Sequence, residues 1–212
     1  VTTWDCVYFG NYWQEDTNGD GKADQRDEKQ PIKWRVLSVE GNDAFLLADK
    51  CLDSQPYNEK FCSWAKSSIR DWLNNKFYNE AFAGVEEGVI SKVINNAGNS
   101  EEYARDGDGT LDKVFLLSVE ETKMKQYGFI PEFKKMTLTR MAYNTGYARG
   151  KEKSWNDNNN RATWYLRTPS AFYFVPCVST ISYHGNGAIF DGMHTPSTVS
   201  SIRPAIHLNL AS

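Results

Sequence analysis

The chain has 212 residues, 40% of them hydrophobic and 24% charged, the make-up of a water-facing globule with a core of its own. Its formal net charge of −3 gives no electrostatic reason to seek nucleic acid, and no apolar run approaches the roughly 18 residues of a membrane span, so direct insertion is not expected. Cys6, Cys51, Cys62 and Cys177 contain no C-x-x-C pair, which argues against zinc or thioredoxin-like chemistry and leaves the disulfide pairing open.

The first expected strand is "CVYFGNYW", with Val7, Phe9 and Tyr12 toward a core. "IKWRVLSVEGNDAFLLADK" reads as a β-hairpin whose turn is Gly41-Asn42-Asp43, flanked by Ile32, Trp34 and Val36 on one side and Phe45, Leu46 and Leu47 on the other. A helix should open near Ser68, which stands three residues before Asp71, and present Ile69, Trp72, Leu73 and Phe77 on one face. Val89, Ile90, Val93 and Ile94 suit a second helix. "DKVFLLS" reads as a strand, and Ser118 with Glu121 opens a further short helix. Residues 125–160 read as polar and irregular. "ATWYLRTPS" is expected as a buried strand ending at Pro169, and "SIRPAIHLNL" as one last strand burying Ile202, Ala205 or Ile206, and Leu208. Strands and helices mix without regular βαβ alternation, so the fold class is α+β.

Between the first two strands lies "DTNGDGKADQRD". Asp16, Asn18, Asp20, Asp24 and Asp27 stand at positions 1, 3, 5, 9 and 12 of a calcium loop, with Gly21 at the sharp turn and the Lys22 carbonyl at position 7. A hard cation needs six to eight oxygens, and this spacing wraps them around one point, so structural calcium is the expected cofactor. Asp27 replaces the usual Glu, as in dockerin-type loops. A solvated acidic turn is the alternative. "RDGDGTLD" at 105–112 is weaker: Asp106, Asp108 and Asp112 suit a Gly-rich turn better than a second cation site.

Catalysis has little to stand on. His184, His194, Asp191 and Cys177 share one segment, but their spacings match no metal-ligand or nucleophile motif, and there is no glycine-rich phosphate loop. His207 alternates with apolar residues and reads as an outward side chain.

One stretch departs from the rest. From Ala171 to Ser201 the chain has no Lys, Glu, Gln, Arg or Leu, although 15 Lys and 13 Glu precede it. Gly- and Ser-rich hairpins use few Lys and Glu, but "AFYF" and "AIF" group aromatic and apolar residues instead of small polar ones. Tyr and Phe set among Ser, Thr and Gly are what adaptable binding surfaces use.

The blocks "IKWRVLSVEGNDAFLLADKCLD", "SSIRDWLNNKFYNEAF", "DKVFLLSVEE", "WYLRTPS" and "SIRPAIHL", in that order, resemble a domain family of gut-bacterial secreted and surface proteins. The resemblance runs from about residue 7 to 210. The "WYLRTPS … SIRPA" ending is similar to the terminal core strands of the C-type-lectin-like fold shared with formylglycine-generating enzymes. It implies a single domain over 1–212, built as a small twisted antiparallel sheet flanked by helices, with the calcium-type loop at 16–28 inserted. The enzymes of that fold rely on a cysteine pair, whereas Cys177 stands alone in its segment.

Residues 171–201 also resemble the variable region of diversity-generating retroelement proteins, which is rewritten at template adenines. AAC codons changed at their adenines reach Phe, Tyr, Ser, Thr, Ile, His, Asp, Val, Ala and Gly, but not Lys, Glu, Gln, Trp or Met. Of those unreachable residues the stretch contains only Met193. The resemblance implies a non-catalytic, secreted or surface-displayed protein, on a bacterial cell or phage particle, that binds a protein or glycan ligand. The implied contact residues are Phe172, Tyr173, Phe174, Ile181, Tyr183, His184, Ile189, Phe190, Asp191, His194 and Thr198. A glycan-binding module of fixed sequence and a Cys177-dependent enzyme are the competing readings.

Overall fold

The computed structural model describes residues 3–60, 62–95, 109–131, 138–151, 160–172, 175–182, 188–194 and 197–211, and only the backbone of 85, 87, 169–172, 175–182 and 188–194. It is a mixed α+β structure, dominated by sheet and with few, short helices. No helix among the described residues is long and apolar enough to cross a membrane.

Strands β1 (Cys6–Tyr12), β2 (Gln30–Glu40) and β3 (Asp43–Ala48) start the chain. The β2–β3 turn falls where Gly41-Asn42 stands, with Glu40 paired to Asp43. Tyr12 is buried and Phe9 packs against the core, but Val7 is exposed, contrary to the alternation read from sequence. Its strand is an edge, and a bulge between Tyr8 and Asn11 shifts the register. Gly10 occupies that bulge at φ +69°, where a Cβ would lie 2.6 Å from the Phe82 ring, so a side chain is barred on both counts.

β4 (Asp53–Pro56) leads to α1 (Ser68–Trp72), which runs through a π-helical turn (Leu73–Phe77) into α2 (Tyr78–Ala81). The cap is Ser67, one residue earlier than expected, whose hydroxyl accepts from the Arg70 N–H. Ile69, Leu73 and Phe77 are buried as their spacing requires, while Trp72 is partly exposed. The expected second helix is split: α3 (Val85–Val89) ends before β5 (Val93–Asn95), which pairs with β6 (Thr110–Asp112). β7 (Val114–Phe115) follows, and Ser118 and Glu121 form a reciprocal capping box, Ser118 N–H to Glu121 Oε2 at 2.7 Å and Glu121 N–H to Ser118 Oγ at 3.1 Å. Within 125–160 the chain forms α4 (Gly146–Lys151), capped by the Thr145 hydroxyl.

β8 (Trp164–Phe172), β9 (Val175–Ser182), β10 (Ala188–His194), β11 (Val199–Ile202) and β12 (Ala205–Asn209) complete the fold. β8 continues past Pro169. "SIRPAIHLNL" is two strands, since Pro204 has no N–H to continue a ladder and the chain changes sheets there. One sheet has the order β1-β2-β3-β12-β7 and the other β10-β9-β8-β11-β4. There are thus two five-stranded sheets in place of the single small one expected, and β8 and β11 pair in parallel.

The two sheets share a corner. β3 runs into β4 and β11 into β12, and these segments pair with each other on both sides of the switch. Main-chain bonds continue through it, Ala48 N–H to Pro204 O and Leu52 N–H to Ile202 O, both 2.9 Å. The fully buried Arg203 guanidinium donates to Ala48 O at 2.8 Å and Asp49 O at 3.3 Å and lies over the Trp164 ring at 5.0 Å. One hydrophobic cluster joins Leu46 and Leu47 of the first sheet to Trp164, Leu166 and Ile202 of the second.

Arg203 sets desolvation of a cation against two carbonyls that need donors. Because those carbonyls belong to the corner itself, Arg203→Met is expected to lower stability by about 1 to 3 kcal/mol in urea unfolding. An unchanged or raised midpoint would show that desolvation outweighs the bonds.

Candidate functional site

β8 is the central strand of its sheet, and its first residues are fixed by the core. Trp164, Tyr165 and Leu166 are fully buried. Trp164 Nε1 donates to Arg140 O at 3.2 Å, and the Tyr165 hydroxyl donates to the Thr198 carbonyl. Arg167 forks onto Glu121 with two bonds of 2.7 Å and also reaches Leu116 O, while the Thr168 hydroxyl accepts from the Val119 N–H at 2.9 Å.

The region without long charged side chains hangs from this frame. Phe172 ends β8 opposite Val175, and Ile181 of β9 stands opposite both Trp164 and Ile189. Phe190 stands opposite Thr180, which also faces Tyr165, and after an irregularity that takes in Asp191 the next pair is His194 with Val178. Thr198 is half-buried and precedes β11. Tyr173, Phe174, Tyr183 and His184 lie outside the described residues. Neighbouring rows of a pleated sheet belong to opposite faces, so the row of Ile181 and Ile189 and the row of Phe190 do not share one. The set is gathered on β8, β9 and β10 but divided between their faces. Cys177 pairs in register with Ser170, and Cys6, Cys51 and Cys62 are not joined in disulfides.

The acidic loop is tied together by its own carboxylates. Asp16 accepts from the N–H groups of Gly19 at 2.6 Å and Gly21 at 2.7 Å, and Gly21 takes φ +86°, as a sharp turn demands. Asn18 and Asp20 each accept from the N–H two residues on. Asp27 does not stand open as a closing ligand. Its Oδ1 accepts from Thr17 N–H, Thr17 Oγ1–H and Asn18 N–H, and its Oδ2 from Asp24 N–H, at 2.7 to 3.1 Å. These bonds, that of Asp24 foremost, hold its carboxyl below the usual carboxylate range. The Arg26 guanidinium lies 2.7 Å from both Asp20 Oδ2 and Asp24 Oδ2.

Among the described residues no group of three or more His, Cys, Asp or Glu side chains is arranged to hold a metal ion. The oxygens of Asp16, Asn18, Asp20, Asp24 and the Lys22 carbonyl are the hard donors the loop offers, and Arg26 stands as a positive charge between Asp20 and Asp24. In the second acidic run Asp106 and Asp108 lie outside the described residues. Asp112 is fully buried and accepts from Trp64 Nε1, Thr110 Oγ1, Asn95 Nδ2 and Arg70 Nε, which makes it a packing hub.

Sequence reading missed α4 and what it brings. Lys151 places its ammonium 2.8 and 3.0 Å from the two oxygens of buried Asp53, which also accepts from the Tyr12 hydroxyl at 2.8 Å and the Ser54 N–H at 2.7 Å. Burial first, and Asp53 second, push the Tyr12 hydroxyl far above its ordinary pKa. A cleft of about 510 Å³ lies between α4 and the acidic loop. Thr145 as a cap and the apolar Tyr147-Ala148 were the signals available for this helix.

The profile of a family described as a domain of unknown function (DUF6273) matches residues 41–210. No curated protein and no solved structure matches the chain.

The Asp27 carboxylate has a lowered pKa in the fold, so its contribution is present above the unfolded value of about 3.9 and is lost as pH falls through the folded one. Asp27→Asn should therefore melt below the wild type at pH 7, and the gap should close under acid. Thermal melts across pH 2 to 7 read this directly, and a gap that stays constant would deny Asp27 its role as the loop's charged anchor.

Proposed function

The profile match spans most of the chain, which therefore belongs to the DUF6273 family, and we propose that this member is a non-catalytic ligand-binding protein whose contacts are carried by β9, β10 and the segments beside them. The observation that carries this reading is where the charge-silent stretch falls. It makes up the outer part of one sheet, and β10 is that sheet's edge. Sheets commonly guard an exposed edge with Lys or other charges. β10 has Asp191 and no Lys, Arg or Glu, a composition suited to an edge that a partner covers. The ligand is a protein or glycan met on a cell or phage surface, with the protein itself secreted or displayed.

A C-type-lectin-like arrangement agrees with a β8 frame that pairs with β11 and is bounded by buried "WYLR" and "SIRPA". Adenine-directed rewriting agrees with a reachable set that omits Lys, Glu and Gln. Sequencing the locus is the sharpest test. A near-identical downstream repeat differing at adenines, beside a reverse transcriptase, is expected. A locus without one leaves a binding module of fixed sequence.

The frame and the outer strands should also differ in tolerance. Phe172→Ser, Ile181→Ser and Phe190→Ser are expected to change stability by less than about 1 kcal/mol each. Trp164→Ala and Leu166→Ala should each lower it by about 2 to 5 kcal/mol, since both side chains are fully buried. Large losses at the first three positions, read by urea unfolding, would make them core residues and end the reading of these strands as ligand contacts.

Calcium is proposed as a structural clip on the acidic loop, held by Asp16, Asn18, Asp20, Asp24 and the Lys22 carbonyl in place of the Arg26 guanidinium. Chelator should then lower the melting temperature of the calcium-loaded protein, and Asp16→Ala with Asp20→Ala should remove that sensitivity. Calorimetric titration with no heat of calcium binding would withdraw the metal.

A further inference from the structure

The cleft between the acidic loop and α4 is lined by Lys22, Arg26, Lys151 and Asp24 as its charged groups, with Ala23 and Gly150 as small ones. Its volume of about 510 Å³ falls within the range of small-molecule sites. The carboxylates near it are already engaged. Asp24 takes Arg26 Nε, Nη2 and N–H, and Asp53 behind Lys151 accepts from Lys151, Tyr12 and Ser54.

The cations keep capacity. Arg26 uses Nε and Nη2 on Asp24 and Asp20, so among the described residues its Nη1 is not engaged. Lys22 Nζ comes no nearer to Asp24 than 3.6 Å, beyond a good hydrogen bond. Both side chains are about two-thirds exposed or more, so their donors are accessible from the cleft. Arginine and lysine donors placed this way suit a planar or tetrahedral oxyanion. Gly150 leaves room for it: a Cβ there would meet nothing nearer than Ala23 O at 4.0 Å.

We propose that this cleft is a second binding site, selective for small ligands bearing an oxyanion, with Lys22 and Arg26 as the recognising residues. It stands apart from the C-terminal strands, because α4 packs on β4, at the opposite edge of the sheet from β10. It does not rest on the reading of those strands. It is tested in chelator, so that it fails or stands separately from calcium.

Amide shifts of the ¹⁵N-labelled chain are followed during titration with sodium sulfate, inorganic phosphate and glucuronate. Glucose and sodium chloride at matched ionic strength serve as controls. Saturable shifts at residues 22–26 and 147–151 are expected for at least one oxyanion and for neither control, and the three probes tell sulfate, phosphate and carboxylate apart. Lys22→Gln and Arg26→Gln should each weaken binding by about tenfold, the size of one charge-assisted hydrogen bond. Arg26→Gln also frees Asp20 and Asp24, so Gly150→Met supplies a variant that leaves the loop intact. Its side chain enters the open space, favours the helix and should abolish saturation without lowering the melting temperature. Shifts that rise linearly, that chloride reproduces, or that survive Gly150→Met would overturn the site.

Discussion

Two strand pairs turn one corner together, and the fold depends on how that corner is satisfied. β3–β4 and β11–β12 leave one sheet and enter the other side by side, and carbonyls that would lie within a ladder are left without a ladder donor at the bend. Pro204 ends the ladder on one segment, and Arg203 beside it supplies donors to Ala48 and Asp49 on the other. A buried guanidinium is an unusual choice, because desolvation opposes it. Burial, with Arg35 next, presses its pKa downward. Its planar fork, however, reaches two carbonyls at once while its flat face rests on Trp164. No apolar side chain does both.

That corner divides the second sheet into strands tied to the first sheet by the chain itself and strands that reach it through β8. β4 and β11 are fixed to the first sheet through the chain itself, β8 is fixed to β11 by Ser201 N–H to Thr163 O, and the side chains of Arg167 and Thr168 tie β8 to residues 116–121. β9 and β10 are joined to this frame through β8, by main-chain ladders. A ladder bonds backbone to backbone and is indifferent to most side chains, provided they suit a pleated strand. Val, Ile, Phe, Tyr and Thr are such residues and are frequent between Ala171 and Ser201. Strand propensity therefore explains part of the composition. It does not explain the missing Arg and Lys at an edge, where propensity matters least and guarding matters most.

Sequence was most legible where spacing and chemistry agreed locally. The β2–β3 hairpin follows from apolar runs around Gly41-Asn42, and the Ser118–Glu121 box from two residues three apart. It was least legible where the partner is distant. Apolar alternation runs on through "SIRPAIHL", so the stretch reads as one strand, although Pro204 marks the break. Val89 to Ile94 fits both periods, and the bridge of Ile90 to Leu208 with the β5–β6 pairing decides for a strand after a single helical turn. α4 is too short and glycine-bounded to show a period. In the acidic loop the spacing located every carboxylate. What each one binds depends on which N–H groups the loop's own path turns inward, and so Asp27 is an anchor.

Asp53 shows the same dependence on distance, and it gives α4 its place. The carboxylate is buried at the start of β4, where an unpaired charge would be untenable. It is answered by Tyr12 from the far end of β1 and by Lys151 from the last turn of α4, groups separated from it by 41 and 98 positions in the chain. The Lys151 ammonium also lies over the Tyr147 ring, 4.0 Å from its centroid, so ring and carboxylate hold it together. α4 is thereby pinned against the β4 edge, and one wall of the cleft is fixed by the core. The other wall is the acidic loop, whose shape is set by its own carboxylates and by Arg26. A cleft with one rigid wall and one wall governed by charge is a place where a bound ion can alter what fits, whereas β9 and β10, suspended from β8 at the opposite edge, are insulated from it by three paired strands.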